Sequence, residues 1–198
     1  MNSLPRDRIG VVLLAAGAGQ RFGGDKLSHQ LIDGDLLLER TLKLYRGLPN
    51  LTIVVANEEL QQISRAYSND VILCEENERG MSYSLKLGLQ RNENLGACMI
   101  CLGDMCCVPS AIIEELLALA KADKIIAPRL KQNGKWRQGN PVVFGRDFFP
   151  ELMQLEGDVG GKQVLKQQAD AVIWLDSNDE GILFDVDHES DLERLSCL

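Results

Sequence analysis

The sequence predicts an α/β fold, a mostly parallel central sheet with helices on both faces. Three observations predict it. Strand-like and helix-like segments alternate along nearly the whole chain. Residues 9–15 (Ile-Gly-Val-Val-Leu-Leu-Ala) form a short run without a polar side chain that ends in a glycine loop, as a strand buried on both faces does. No repeat, linker or low-complexity tract divides the 198 residues, which are expected to form one domain, 1–198.

The elements follow in order. Residues 36–45 place Leu37, Leu38, Leu42 and Tyr45 on one helical face. Residues 51–56 read as a strand, 58–66 as a helix, 71–74 as a strand, and 81–90 as a helix with Leu85 and Leu89 one turn apart. Residues 97–102 are the next strand. Pro109 is expected in the first turn of a helix, where its missing N–H does no harm. The sheet resumes at 125–127, a polar segment spans 131–139, and a strand begins at Pro141. Helices are expected over 148–155 and 161–168, strands over 171–175 and 183–186, and a helical turn over 190–195. In such folds ligands bind at the carboxyl ends of strands. Each motif below is expected at such an end or at the start of the helix after it.

Composition narrows the function. The formal net charge is -8 and the pI is near 4.8, so the surface repels phosphate backbones and general nucleic-acid binding is excluded. No apolar stretch approaches the length of a membrane span, and residues 1–8 lead into no signal-peptide pattern, so a cytoplasmic protein without a membrane partner is expected. Of the six cysteines, Cys98 and Cys101 have C-x-x-C spacing, with Cys106 and Cys107 close behind. On a strand, residues three apart point to opposite faces. No second C-x-x-C or histidine pair completes a metal set. Buried free thiols are the expectation.

The chemistry concentrates in Leu13-Leu14-Ala15-Ala16-Gly17-Ala18-Gly19-Gln20-Arg21-Phe22-Gly23-Gly24-Asp25-Lys26. Gly17 and Gly19 clear the way for backbone amides to approach phosphate oxygens. Arg21 and Lys26 bring positive charge to the same loop, and a guanidinium grips phosphate in two places. Two familiar phosphate loops do not fit. The dinucleotide fingerprint needs a third glycine where Phe22 stands, and a Walker loop needs Gly-Lys-Ser/Thr where the chain has Gly24-Asp25-Lys26-Leu27. Further along, Asp104 ends a buried strand, where a carboxylate can hold Mg²⁺ against triphosphate oxygens. Asp185 and Asp187 are two apart and, on a strand, share a face, so either is eligible as a second ligand. Ser82 and Ser84 lie at a helix start, where a serine hydroxyl commonly caps the backbone.

The loop resembles the signature L-A-A-G-x-G-x-R-[FM]-G-x-x-K of sugar-nucleotide and cofactor nucleotidyltransferases, and within that superfamily the chain is most similar to the molybdenum cofactor cytidylyltransferases. Five more segments agree in the same order. Gly80-Met81-Ser82-Tyr83-Ser84-Leu85 resembles G-M-S-x-S-L, Leu102-Gly103-Asp104-Met105 resembles L-G-D-M-P, and Gly139-Asn140-Pro141-Val142 resembles G-H-P-V. Gly157-Asp158-Val159-Gly160-Gly161 resembles G-D-x-G-[AG], and Asp185-Val186-Asp187 resembles the start of D-[IV]-D-T-P-E-D-L. Three positions depart from the pattern: Cys106 stands for a proline, Asn140 for a histidine, and His188-Glu189-Ser190 for Thr-Pro-Glu.

The resemblance implies a Rossmann-like fold of the nucleotide-diphospho-sugar transferase type. It implies a Mg²⁺-dependent enzyme that transfers CMP from CTP to a phosphorylated molybdopterin and releases pyrophosphate, the product passing to a molybdoenzyme. It assigns Leu14, Ala15, Ala16, Gly17 and Gly19 to the nucleotide, Arg21 and Lys26 to catalysis, and Gly80, Met81 and Ser82 to the base. Asp104 and Asp187 become the metal ligands, and Asn140 and Asp158 face the acceptor. The alternatives are a same-fold transferase using GTP or another phosphorylated acceptor, and a non-catalytic nucleotide-binding cofactor chaperone. Transfer at a phosphate needs positioning and charge neutralisation more than a protein nucleophile. That agrees with a chain in which neither His29 nor His188 has the context of a base.

Overall fold

A computed structural model describes residues 3–17, 22 and 25–195. The strands are β1 (Ile9–Ala15), β2 (Leu51–Val55), β3 (Asp70–Leu73), β4 (Ala97–Leu102), β5 (Ile125–Gln132), β6 (Lys135–Gln138), β7 (Val142–Gly145) and β8 (Val172–Ser177). Between and after them come the helices α1 (Leu37–Tyr45), α2 (Glu58–Ser64), α3 (Met81–Arg91), α4 (Ser110–Leu119), α5 (Phe149–Leu152), α6 (Lys162–Gln167) and α7 (Glu189–Arg194). The sheet runs in the order β3-β2-β1-β4-β7-β5-β6, with β8 paired to β5. β1, β2, β3 and β4 are mutually parallel, β8 is parallel to β5, and β7 is antiparallel to both β4 and β5. The expected mostly parallel sheet is present, with one reversed strand set into its middle.

The alternation within β1 and β4 explains why helices cover both faces. Ile9, Val11, Leu13 and Ala15, together with Ala97, Met99 and Cys101, enter one core. Val12, Leu14, Cys98 and Ile100 enter the other. The first core is closed by Leu37, Leu38, Leu42 and Tyr45 of α1 and by Ile112, Ile113, Leu116 and Leu117 of α4. The second is closed by Leu85 and Leu89 of α3, Leu152 of α5, and Val164 and Leu165 of α6. Each fully buried aliphatic side chain contributes about 1.5–3 kcal/mol against exposure. Gly88 lets α3 approach β1 closely, because a Cβ there would meet Val12 Cγ1 at 2.3 Å.

This order creates the cleft. From β1 the chain steps outward to β2 and β3, then returns through α3 to β4 on the other side of β1. The strand order therefore reverses between β1 and β4, and a crevice opens beyond their carboxyl ends.

Five expectations are corrected. Residues 131–139 are not a mere polar connection. They turn at Asn133 (φ 52°) and Gly134 (φ 77°) to form the β5–β6 hairpin, because Asn-Gly supplies the two positive-φ positions of a tight turn. Residues 183–186 are not a strand: they run beside the open crevice, where no strand is available to pair with them, and Val186 N–H reaches only the Asp104 carbonyl (3.2 Å). Pro109 is extended (φ -63°, ψ 135°) and sits one residue before the helix, its carbonyl accepting from Ile112 and Ile113. Residues 148–155 are a 3-10 turn (Arg146–Phe148) followed by the short α5, not one helix. Asn140 lies between β6 and β7, at the start of a strand antiparallel to β4 rather than at the carboxyl end of a parallel one. Among the described residues no helix is long and apolar enough to cross a membrane.

Candidate functional site

The crevice is a cleft of about 570 Å³ lined by Leu14, Ala15, Ala16, Gly17 and Lys26 from the first loop, Gly80, Met81 and Ser84 at the start of α3, Gly103 and Asp104 after β4, and Asp158, Asp185 and Asp187. Its size is ordinary for a small-molecule site.

Lys26 is held in place from both sides. Phe22, 8% exposed, packs in the first core and meets His29 edge-on, with ring centroids 5.4 Å apart. Asp25 accepts from Leu27 N–H at 3.3 Å and from Asn57 Nδ2 at 2.8 Å, which fixes the short turn Lys26–Ser28. The Lys26 ammonium then donates to Asp104 Oδ2 at 2.7 Å and lies 3.6 Å from Asp187 Oδ1.

Asp104 is carried by the last paired residue of β4's extension. Gly103 N–H donates to the Leu14 carbonyl at 2.8 Å, and the Thr41 hydroxyl donates to the Gly103 carbonyl at 2.8 Å. A side chain at 103 would press on Ala15 Cβ at 3.1 Å, so glycine keeps the two strand ends together. Oδ1 of Asp104 is buried and has no hydrogen-bond partner among the described residues. Burial, then the charges of Asp104 and Asp187, hold the Asp185 carboxyl above the usual carboxylate range. Asp187 N–H and His188 N–H both donate to Asp191 Oδ2, which ties the end of this segment to α7.

The segments around residues 80–82 and 157–158 touch each other. Gly80 adopts φ 87° and ψ 178°, a conformation open in practice only to glycine. A Cβ there would also meet Gly157 C at 2.5 Å. Ser82 N–H donates to the Gly157 carbonyl, and Asp158 Oδ1 accepts a long 3.4 Å bond from Met81 N–H. Asp158 therefore caps the start of α3 while facing the cleft. Among the described residues nothing lies within 4 Å of where a Cβ of Gly17 would stand.

The structure thus gathers Leu14, Ala15, Ala16, Gly17, Lys26, Gly80, Met81, Asp104, Asp158 and Asp187 around one cleft. Gly19 and Arg21 lie outside the described residues. Ser82 is 3% exposed and does not line the cleft, whereas Ser84 does, its hydroxyl donating to the Met81 carbonyl at 3.0 Å. Asn140 does not line it either, its N–H being spent on the Ile182 carbonyl. Asn77 and Glu78 line the cleft without having been singled out, since an acidic stretch before a glycine reads as a solvated turn. Cys98 and Cys101 face opposite cores, and burial pushes both thiols far up, so they form no redox pair.

Among the described residues no group of three or more His, Cys, Asp or Glu forms a metal-ligand shell. Two carboxylates, one with an orphaned buried oxygen, instead suit a hard divalent ion that keeps waters and takes its remaining oxygens from a phosphate ligand. A crevice at a strand-order reversal, with a glycine turn on one rim and a lysine between carboxylates on the other, defines a phosphate-handling α/β protein.

The family model for the MobA-like NTP transferase domain matches residues 11–172. The chain belongs to that family and is a nucleotidyltransferase of the MobA-like kind. It is 29% identical over 199 residues to the purine catabolism protein PucB of Bacillus subtilis (strain 168), covering 92% of this chain and 94% of PucB. The crystal structure of Rv0371c from Mycobacterium tuberculosis H37Rv is similar with a TM-score of 0.79 and 28% identity, over 98% of each chain. A manganese complex of Rv0371C from the same organism is similar with a TM-score of 0.73 and 25% identity, over 94% of this chain and 97% of that one.

Proposed function

We propose that the chain transfers CMP from CTP to a terminal phosphate oxygen of a molybdopterin-type acceptor, releasing pyrophosphate. The observation that carries this reading is the Lys26 ammonium held between Asp104 and Asp187 at the end of β4. Such a group is matched to a triphosphate and a divalent ion together. Lys26, with Arg21 from the same loop, neutralises the triphosphate and the departing pyrophosphate. Asp104 and Asp187 would hold Mg²⁺, which supplies charge neutralisation at the attacked phosphate. The cleft otherwise acts by alignment, bringing the acceptor oxygen in line with the α-phosphate.

Cytosine is the expected base. The start of α3 offers Gly80, Met81 and Ser84 to the cleft, a small set of backbone groups and one hydroxyl that, donating to the Met81 carbonyl, can accept from the cytosine amino group. Guanine is larger and presents a different edge, and a site built for one edge rejects another because its polar groups are left unpaired. Asp158, which lines the cleft, is assigned to the acceptor, and a manganese complex of the similar Rv0371C is in keeping with use of a divalent ion. A molybdoenzyme is the expected recipient of the product.

A pyrophosphate-release screen of the four ribonucleoside triphosphates against candidate pterin acceptors tests the reading. CTP with a phosphorylated molybdopterin should give the highest kcat/KM. A preference for GTP would overturn the cytidylyl assignment. Release with a different phosphorylated acceptor would move the enzyme elsewhere in its family, and nucleotide binding without release would leave a carrier.

A further inference from the structure

Cys106 and Cys107 follow Gly103-Asp104-Met105 directly, and their Sγ atoms lie 3.9 Å apart. Cys106 is 5% exposed, while Cys107 is only half-buried and meets solvent. The surrounding segment is packed onto this pair. Ile182, Phe184 and Val186 enter the core that contains Cys106. Gly181 rests on the Cys107 carbonyl so closely that a Cβ at 181 would come within 2.0 Å of its oxygen. Val186 N–H donates to the Asp104 carbonyl. Residues 180–187, which carry Asp185 and Asp187 into the cleft, therefore use the backbone of 104–107 as their floor.

We propose that Cys106 and Cys107 are an oxidative modification site, converted by a low-molecular-weight disulfide into a vicinal disulfide that loosens the segment carrying Asp185 and Asp187. The half-buried Cys107, as thiolate, attacks one sulfur of the oxidant and releases one small thiol. Cys106, its proton lost to solvent, then displaces the second from the mixed disulfide. Two S–H bonds are replaced by one S–S bond, and the two electrons leave on the oxidant, now two thiols. Bonded sulfurs lie about 2.05 Å apart, so the pair must close by about 1.9 Å. A link across a single peptide cannot be made by side-chain rotation alone. It turns the Cys107 backbone, the surface on which Gly181 sits without clearance. The effect on turnover rests on the function proposed above; the link and the loosening do not.

The test uses the whole chain, reduced or treated with oxidised glutathione, and then alkylated and mapped by peptide mass. The expected product is one peptide with Cys106 and Cys107 joined, two hydrogens lighter and blocked from alkylation. Amide exchange over residues 180–187 should quicken by about tenfold on oxidation and return with dithiothreitol. Reduced Cys107→Ser should exchange as the parent does and ignore the oxidant. Cys106 and Cys107 recovered unlinked, or linked with exchange over 180–187 unchanged, would overturn the proposal.

Discussion

The Lys26 ammonium lies 2.7 Å from Oδ2 of Asp104, while Oδ1 of the same carboxylate is buried without a hydrogen-bond partner among the described residues. Burying an unmatched carboxylate oxygen is unfavourable, so a cation reaching Oδ1 would be stabilised there.

Replacing the lysine should therefore have two opposite effects. Lys26→Met should lower kcat/KM by about ten- to a hundredfold, the equivalent of one lost charge-assisted contact of about 1.5–3 kcal/mol. It should also strengthen Mn²⁺ binding to the nucleotide-free protein, because the ammonium no longer competes for Asp104 and Asp187. Steady-state kinetics and a Mn²⁺ titration followed by electron paramagnetic resonance read both. Normal kinetics in the folded variant would remove Lys26 from the phosphate site.

The two carboxylates should be separable from their neighbour. Asp104→Asn and Asp187→Asn should each reduce turnover by about a hundredfold or more, and chelating the divalent ion should abolish it. Asp185→Asn should be milder. Equal losses at 185 and 187 would show that both oxygens of this segment serve the ion, and full activity after chelation would exclude a metal from the reaction.

Asp185 also makes a stability prediction for the ligand-free chain. Its folded carboxyl is raised above the ordinary value of 3.8 by burial and by Asp104 and Asp187. The folded state thus binds its proton more tightly than the unfolded chain does. That contribution favours folding at low pH and is lost as pH rises from about the unfolded value through the folded one. At neutral pH the ionised group opposes folding, so Asp185→Asn should raise Tm there, with the gain vanishing near pH 3. Thermal melts from pH 3 to 8 check it; a gain independent of pH would contradict the assignment.

Gly80→Ala should damage the cleft from the other side. The residue's φ of 87° and the nearness of Gly157 leave a methyl group no room. A cost of about 1–3 kcal/mol is expected from the backbone alone. The displaced 157–158 loop should raise KM for the nucleotide more than it lowers kcat. An unaltered melting temperature and KM would show that the two loops are not packed as described.

Much of this architecture was legible because it rests on local patterning. The alternation through Ile9–Ala15 and Ala97–Leu102 fixes which side chains enter each core, and it separates Cys98 from Cys101. The Lys26 and Asp104 positions follow from where their strands end. What escaped depends on neighbours that one segment does not reveal. Leu183 to Val186 carries β-like residues, yet it lies beside a crevice instead of another strand. Asn140, expected on the acceptor side, is not among the residues that line the cleft. Ser82 is turned into the interior, and Ser84 is the serine that reaches the cleft. The Asn133-Gly134 turn was readable in principle, since that dipeptide between extended segments signals a hairpin.

The reversed strand β7 bears on how such a protein can diversify. A parallel strand reaches the rim only with its far end, so adding a rim residue that way requires a whole crossover unit. Because β7 runs the other way, its first residues lie beside the carboxyl end of β4, and the β5–β6 hairpin feeds directly into them. Small insertions or exchanges in that hairpin can therefore change the surface beside that end of the sheet while β1 and β4 keep their register and the cleft, lined by other segments, keeps its walls.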